Sequence, residues 1–301
     1  MNKTSTRIPL NDNRWIGYAE FGDPLGSPCL FVHGYGSSRW MAGWAFADEL
    51  LRHHAIRIVA IDRPSYGLSS PQSTAGFGQW ANDAAALAAH LDIKQMAVVG
   101  VSMGAGPALA LTALRPELVS NTTILSGMPP LDSLVRWAPA SRADAFYWRL
   151  ARYAPWLLER MCALSASILS KAATGNADSL IERTERALPQ PDRAVFRTLL
   201  DNDASRAAFI ADIRESTRQG GSATAGDLRQ YLRPWGVELS AIDTPVQLWH
   251  GHEDTKVPIE AVQRLADALP RCTTRYLPGG HFSPFTRPNE ILKDVSFGDR
   301  R

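Results

Sequence analysis

Three side chains of this 301-residue chain could do chemistry together: Ser102, Asp254 and His281. Ser102 stands at the centre of Gly100-Val101-Ser102-Met103-Gly104, a Gly-x-Ser-x-Gly pattern. An apolar run of strand type, residues 96–99, leads into it, and an alanine- and leucine-rich helix former, residues 107–114, follows. That context puts the serine at the apex of a sharp strand–turn–helix bend. Side chains two residues to either side of so tight a bend would collide with the adjoining strand and helix, and Gly100 and Gly104 remove that collision. The bend lifts the hydroxyl clear of the sheet and aims the first free N–H groups of the helix at the space above it, where negative charge is favoured.

A serine hydroxyl is a weak nucleophile until a base lies within hydrogen-bond reach and a third group orients that base. Histidine suits the base role because its ordinary pKa of about 6.5 lets it take and return a proton near neutrality. Of the seven histidines, His250 and His281 fall at the ends of late strand-like runs. His250 is still inside its run, whereas His281 follows Gly279-Gly280 on a loop free to bring the ring over the sheet edge. His53, His54 and His90 sit on helix-like segments and are read as solvated or packed. The orienting acid should lie between serine and histidine in chain order, and Asp254 fits, with Glu253 as its adjacent competitor. Asp254 also has the position of a plain helix-start residue, while Asp62 precedes the serine and reads as part of a structural turn. An oxyanion would need fixed donors: the main-chain N–H of Met103 is one, and that of Tyr35, on the loop after the third strand, is the other. His33 is read as bracing that loop.

These residues need a scaffold. Strand-like runs fall at residues 6–10, 14–21, 28–33, 56–61, 96–101, 122–125, 246–250 and 273–277. Helical spacing falls between them, at residues 40–53, 77–91, 107–114 and 259–269, with a closing helix at 289–295. Several strands are apolar throughout, which predicts a mostly parallel sheet with helices on both faces. In such a sheet chemistry gathers beyond the carboxyl ends of the strands, so the loops after His33, Asp62 and Gly100 should be neighbours. Residues 1–128 and 233–301 supply this core, and residues 129–232 form a helical insertion covering the strand ends. The insertion reads as helices at 142–153, 156–171, 178–188, 193–201 and 204–218, broken at Pro139, Pro155, 175–176, 189–191 and 220–222. Most of its aromatics (Trp137, Phe146, Tyr147, Trp148, Tyr153, Trp156 and Phe209) should build its own core, and a few should face the pocket.

Composition narrows the alternatives. A net charge of +2 supplies no field for nucleic acid or anionic lipid. Cys29, Cys162 and Cys272 are too scattered for a disulfide framework or a zinc site and read as small buried hydrophobes. No run approaches the roughly 18 apolar residues of a membrane helix, and residues 1–7 lack the apolar centre of a signal peptide. The expectation is a cytoplasmic protein that acts on a small molecule without cofactor, metal, nucleic acid or membrane insertion, as a monomer or homodimer. The last residues, 298–301, look frayed.

In combination, His33-Gly34-Tyr35-Gly36, Asp62-Arg63-Pro64-Ser65-Tyr66-Gly67-Leu68-Ser69, the Ser102 bend, the Asp254 loop and Gly280-His281-Phe282 resemble the α/β-hydrolase superfamily, in its capped serine hydrolase and esterase branch. The resemblance spans nearly the whole chain. It implies an eight-stranded, mostly parallel sheet, a cap inserted after the sixth strand, and a triad of Ser102, Asp254 and His281. It implies hydrolysis of a carboxylic ester, a lactone or a thioester through an acyl-enzyme. The alternatives are carbon–carbon hydrolysis of a ring-fission product by the same triad, or a ligand-binding or signalling role with little turnover. Ser65 stands where many relatives have glycine, which puts that turn in question. Serine at the bend, where relatives that open epoxides or cleave carbon–halogen bonds carry aspartate, argues against those reactions. The loop at residues 33–36 lacks both the Gly-Gly-Pro-Gly form of proline iminopeptidases and the three-glycine form of hormone-sensitive-lipase relatives.

Overall fold

A computed structural model describes residues 4–72, 76–131 and 141–296. Trp137, Pro139 and the carboxyl-terminal residues expected to fray lie outside the described residues. Strands β1 (Thr6–Pro9) and β2 (Trp15–Gly22) form an antiparallel hairpin. Then follow β3 (Ser27–Val32), α1 (Met41–Ala45), α2 (Asp48–His53), β4 (Ile56–Ile61), α3 (Gly78–His90) and β5 (Met96–Val101). A single 3-10 turn, Ser102–Gly104, runs into α4 (Ala105–Leu114), and β6 (Val119–Leu125) follows. Six helices come next: α5 (Arg142–Tyr153), α6 (Pro155–Thr174), α7 (Ala177–Ala187), α8 (Gln190–Leu199), α9 (Asp203–Ser216) and α10 (Ser222–Tyr231). The sheet resumes with β7 (Val246–Gly251), α11 (Ile259–Asp267) and β8 (Cys272–Leu277), and α12 (Pro288–Ser296) closes the described chain.

The eight strands lie in the order β1-β2-β4-β3-β5-β6-β7-β8. β2 runs antiparallel to β4, and every pair from β4 to β8 is parallel. Uniformly apolar strands place alternate residues on the two faces. Leu30, Val32, Val59, Ile61 and Val98 pack with α3, α4 and α11, whereas Cys29, Phe31, Ile58, Ala60, Val99 and Val101 pack with α1, α2 and α12. The chain leaves β3 toward β4 and leaves β5 toward β6, in opposite directions along the sheet. A crevice therefore opens beyond the carboxyl ends of β3 and β5, the usual ligand position in an open α/β sheet.

Three details differ from the sequence reading. The helix expected over residues 40–53 is two helices, because Phe46 adopts an extended backbone (φ −133°, ψ 124°). Its ring seats between Phe31 and Phe285, with centroids 6.2 and 6.0 Å away. β6 begins three residues before the expected Thr122. Helix α10 was not foreseen: Gly226 lowers its intrinsic propensity, and tertiary burial of Ala223, Ala225, Leu228 and Tyr231 outweighs that cost. Side-chain caps start three of the inserted helices, from Ser141, Asn176 and Asn202.

The inserted aromatics divide. Phe209 is buried against Trp44 and Phe196. Tyr147 and Trp148 lie against a small cluster formed by Leu150, Ala151, Leu158, Cys162, Ala225 and Leu228. Contrary to expectation, Phe146, Tyr153 and Trp156 face outward, the last two 76% and 67% exposed. The inward faces of α5 and α6 are already filled by that small cluster. Cys29 and Cys162 are buried and Cys272 half-buried, all three free. Among the described residues no helix is long and apolar enough to cross a membrane.

Candidate active site

Ser102 occupies the bend with φ at +52°, a left-handed conformation that costs a non-glycine residue of order 1 kcal/mol or more. The flanking glycines are required by close approach. A Cβ on Gly104 would come within 2.2 Å of the Val32 carbonyl oxygen, and one on Gly100 within 2.8 Å of Ala108 Cβ. Two further contacts hold the bend. The buried Tyr231 hydroxyl donates to the Met103 carbonyl at 2.7 Å and accepts the Gly106 N–H at 3.0 Å. The Met128 N–H donates to the Ser102 carbonyl at 3.0 Å.

The loop after β3 abuts this bend. A Cβ on Gly34 would stand 3.3 Å from Ser102 Cβ and 4.0 Å from its hydroxyl oxygen. The peptide N–H of Tyr35 follows directly from that glycine, as that of Met103 follows from Ser102. His33 is fully buried and braces the loop as expected. Its Nδ1 lies 2.9 Å from the Gly34 carbonyl oxygen, and its Nε2 accepts the Arg63 N–H at 3.1 Å. Burial and the nearby Arg63 cation push its pKa well below the ordinary value, so the ring is neutral. The Arg63 guanidinium donates to the carbonyls of His33 and Gly34 at 3.1 and 2.8 Å and pairs with Asp227 of α10 at 2.5 and 2.7 Å. Tyr66 donates to the same carboxylate at 2.7 Å. Asp212 of α9, fully buried, accepts from the Ser37 hydroxyl, the Ser38 N–H and hydroxyl, and Trp44 Nε1, at 2.6–3.0 Å.

Asp62 serves its turn. It pairs with buried Arg39 at 2.7 Å and accepts the Leu68 N–H at 2.8 Å. Ser65 takes φ +68° at the position where many relatives carry glycine, so the turn keeps the left-handed geometry with a serine in it.

On the other side, His281 Nδ1 lies 2.7 Å from Asp254 Oδ2. The other Asp254 oxygen, Oδ1, accepts the N–H groups of Lys256 and Val257 at 2.7 and 3.0 Å. The turn-forming role and the His281 contact thus use different oxygens of one carboxylate, while α11 itself begins after Pro258. Burial opposes the Asp254 charge, but His281 outweighs it and holds the carboxyl below its usual pKa. Burial likewise opposes the His281 imidazolium, and the charge and hydrogen bond of Asp254 outweigh it, raising the His281 pKa. Glu253 points elsewhere, its Oε1 accepting the Gly279 N–H at 3.2 Å. His250 lies 3.0 Å from the Val257 carbonyl oxygen through Nε2, and burial lowers its pKa. His54 meets Asn289 on the surface, and His53 stacks edgewise on His54.

His281 lies beyond β8, three strands from β5, yet its loop reaches back across the sheet. The Ser126 hydroxyl, beyond β6 and next to β5, donates to the His281 carbonyl at 2.7 Å. Sequence reasoning missed Tyr231 and the three inserted acids Asp192, Asp212 and Asp227. Asp212 carried a signal: it shares the buried face of α9 with Ala208 and Ser216 at four-residue spacing. Among the described residues no group of three His, Cys, Asp or Glu side chains is arranged to hold a metal ion.

Comparison with known proteins bears on the fold that carries these residues. The family profile of the alpha/beta hydrolase fold matches residues 28–288. Over 114 residues the chain is 29% identical to the dihydrolipoyllysine-residue acetyltransferase component of the acetoin cleaving system of Pseudomonas putida, covering 38% of this chain and 30% of that protein. It is 29% identical over 126 residues to a non-heme chloroperoxidase of Streptomyces lividans, covering 41% of this chain and 45% of that protein. The chain thus spans less than half the length of either curated relative. Among solved structures, the esterase RhEst1 from Rhodococcus sp. ECU1013 superposes with a TM-score of 0.64 at 18% identity, covering 98% of each chain.

Proposed function

The chain belongs to the α/β-hydrolase family, and from that premise we propose that it is a serine hydrolase cleaving a carboxylic ester, lactone or thioester of a small, partly apolar substrate. The 2.7 Å contact between His281 Nδ1 and Asp254 Oδ2 carries this reading, with Ser102 strained at the mouth of the β3–β5 crevice. Asp254 fixes the tautomer with the proton on Nδ1 and leaves Nε2 as the basic atom.

Ser102 Oγ attacks the substrate carbonyl carbon while His281 Nε2 takes its proton. The carbonyl electron pair moves onto oxygen, where the Met103 and Tyr35 N–H groups receive it. The electron pair returns, the bond to the leaving group breaks, and His281 delivers its proton to the departing alkoxide, alcohol being released. Water, deprotonated by the same histidine, attacks the acyl-serine, and the acid leaves with Ser102 restored. Residues 129–232 serve as a cap over this crevice. The Tyr35 side chain meets Cys162 and Thr224 of the inserted segment, so that segment reaches the loop that carries the second oxyanion donor.

Short p-nitrophenyl esters and a fluorophosphonate probe test the reading. Wild-type protein should turn over the esters and label at Ser102, and Ser102→Ala should lose both, with turnover down by at least about 10³-fold. A folded wild-type protein inert to both reagents, or an alanine variant as active as wild type, overturns it.

A further inference from the structure

Helix α8 of the inserted segment carries Asp192, only 1% exposed, toward the loop that presents His281. An acid in the third position of a helix ordinarily serves the free N–H groups of its own first turn. Asp192 is turned outward instead. Its Oδ1 accepts the Phe282 N–H at 2.8 Å. Its charge lies near the imidazole and favours the imidazolium. The approach is close enough to dictate the neighbouring residue: a Cβ on Gly280 would lie 2.6 Å from both carboxylate oxygens. One turn along α8, Phe196 stacks on the Phe282 ring with centroids 6.1 Å apart and planes at 29°. The same helix therefore grips the histidine loop by charge and by ring.

We propose that Asp192 is a positioning residue for the general base: from the inserted segment it fixes the main chain that aims His281 at Ser102, and adds a second negative charge near the imidazole. This rests on the serine hydrolase reading above. The loop is then held on every side. Asp192 accepts the Phe282 N–H, Ser126 donates to the His281 carbonyl, and Asp254 accepts the hydrogen bond of the ring N–H. The charged groups acting on His281 are Asp254 and Asp192, which favour the imidazolium, and Lys256, which opposes it. His250 also faces Asp254, at 3.8 Å, and is itself held neutral by burial and by the His281 charge. An imidazolium forms each time Ser102 gives up its proton, so a fixed second anion helps where the charge develops.

Two variants separate position from charge. Asp192→Asn keeps an oxygen acceptor for the Phe282 N–H and removes the charge, and Asp192→Ala removes both. In Asp192→Asn the His281 pKa, followed by NMR titration of the labelled imidazole, should fall, and the acid limb of kcat/KM should move to lower pH with it. In Asp192→Ala kcat should fall by about 10- to 100-fold with KM within about twofold, the size seen when an outer-shell partner of a site is lost. An unchanged His281 titration in folded Asp192→Asn overturns the charge role. An unchanged kcat in folded Asp192→Ala overturns the positioning role, and if that variant does not fold, the titration of Asp192→Asn decides. The titration needs no turnover. A wild type inert to esters and fluorophosphonate would therefore refute the hydrolase reading while the imidazole still reports on Asp192.

Discussion

Helices α8 and α9 and helices α5 and α6 belong to the same inserted segment, yet they meet the sheet in different ways. Phe196 of α8 and Ala208, Phe209 and Ile210 of α9 join the same apolar cluster as Phe31, Val99 and Trp249 of the sheet. Each of these helices also sends a buried acid into a loop of the candidate site, Asp192 to the His281 loop and Asp212 to Ser37 and Ser38. Helix α10 sends a half-buried acid, Asp227, to Arg63 of the neighbouring loop. Helix α5 and the first turns of α6 instead close on a separate cluster of six buried residues. Their outer face leaves Tyr153, Trp156 and Leu164 in solvent, and α5 meets the α11 side through the half-exposed pair Lys256–Asp144 at 2.8 Å. The lesson is that insertion into a fold does not mean independence from it. One part of the segment is built into the site as a buttress, while the other is a flap packed on α10 with its outer face in solvent.

Removing a buttress acid should therefore cost far more than removing a larger side chain from the flap. Asp227→Ala leaves the buried Arg63 guanidinium without its carboxylate and should cost about 3–5 kcal/mol, read from urea unfolding. A loss under about 1 kcal/mol would mean that Arg63 finds water or another partner, and the contrast between the two parts would collapse.

The next effect is a pH dependence. Burial lifts the Asp212 carboxyl to about 6 against the hydrogen bonds that favour its charge. The folded protein thus holds this proton more tightly than the unfolded chain, whose carboxyl titrates near 3.8. The sign follows: between those values the folded state binds more protons, so this group's contribution to stability falls as pH rises through the window. Asp212→Asn should flatten that decline in thermal unfolding and lower stability at every pH. Its amide nitrogen can only donate, and it would face donors. A decline as steep as that of wild type would show that Asp212 is ionised throughout.

The smallest change is expected on the flap. Trp156→Ala removes a large side chain that is 67% exposed and should alter stability by no more than about 0.5 kcal/mol in the same unfolding assay. A loss of 2 kcal/mol or more would show that the α6 face is covered in solution and would erase the distinction from α8.

Much of the scaffold was legible because its signals are local. Apolar runs such as Ile58–Ile61 can be little other than buried strands, and the Gly100 and Gly104 spacing around Ser102 has a steric cause that reads directly from residue type. The Asp254–His281 contact was legible from chain order and loop position, since a parallel sheet brings its carboxyl ends to one edge. The inserted acids were not. Asp192 at a helix start looks like any other acid favoured there, and only the packing of α8 against residues 280–282 turns it toward the histidine loop. The break at Phe46 was hidden for the same reason, because the decision rests with Phe31 and Phe285, far away in sequence.

Tyr231 carries one more consequence. Its hydroxyl spans the Met103 carbonyl and the Gly106 N–H, yet it is the final residue of the last inserted helix. Substrate preference in such a scaffold invites cassette exchange, with one chain's inserted segment transplanted for another's. Here the natural excision boundaries would carry off a strut of the Ser102 bend along with the inserted helices. A transplant that keeps α10 as part of the recipient, and swaps only the sequence before it, would respect where the molecule's mechanical joints lie.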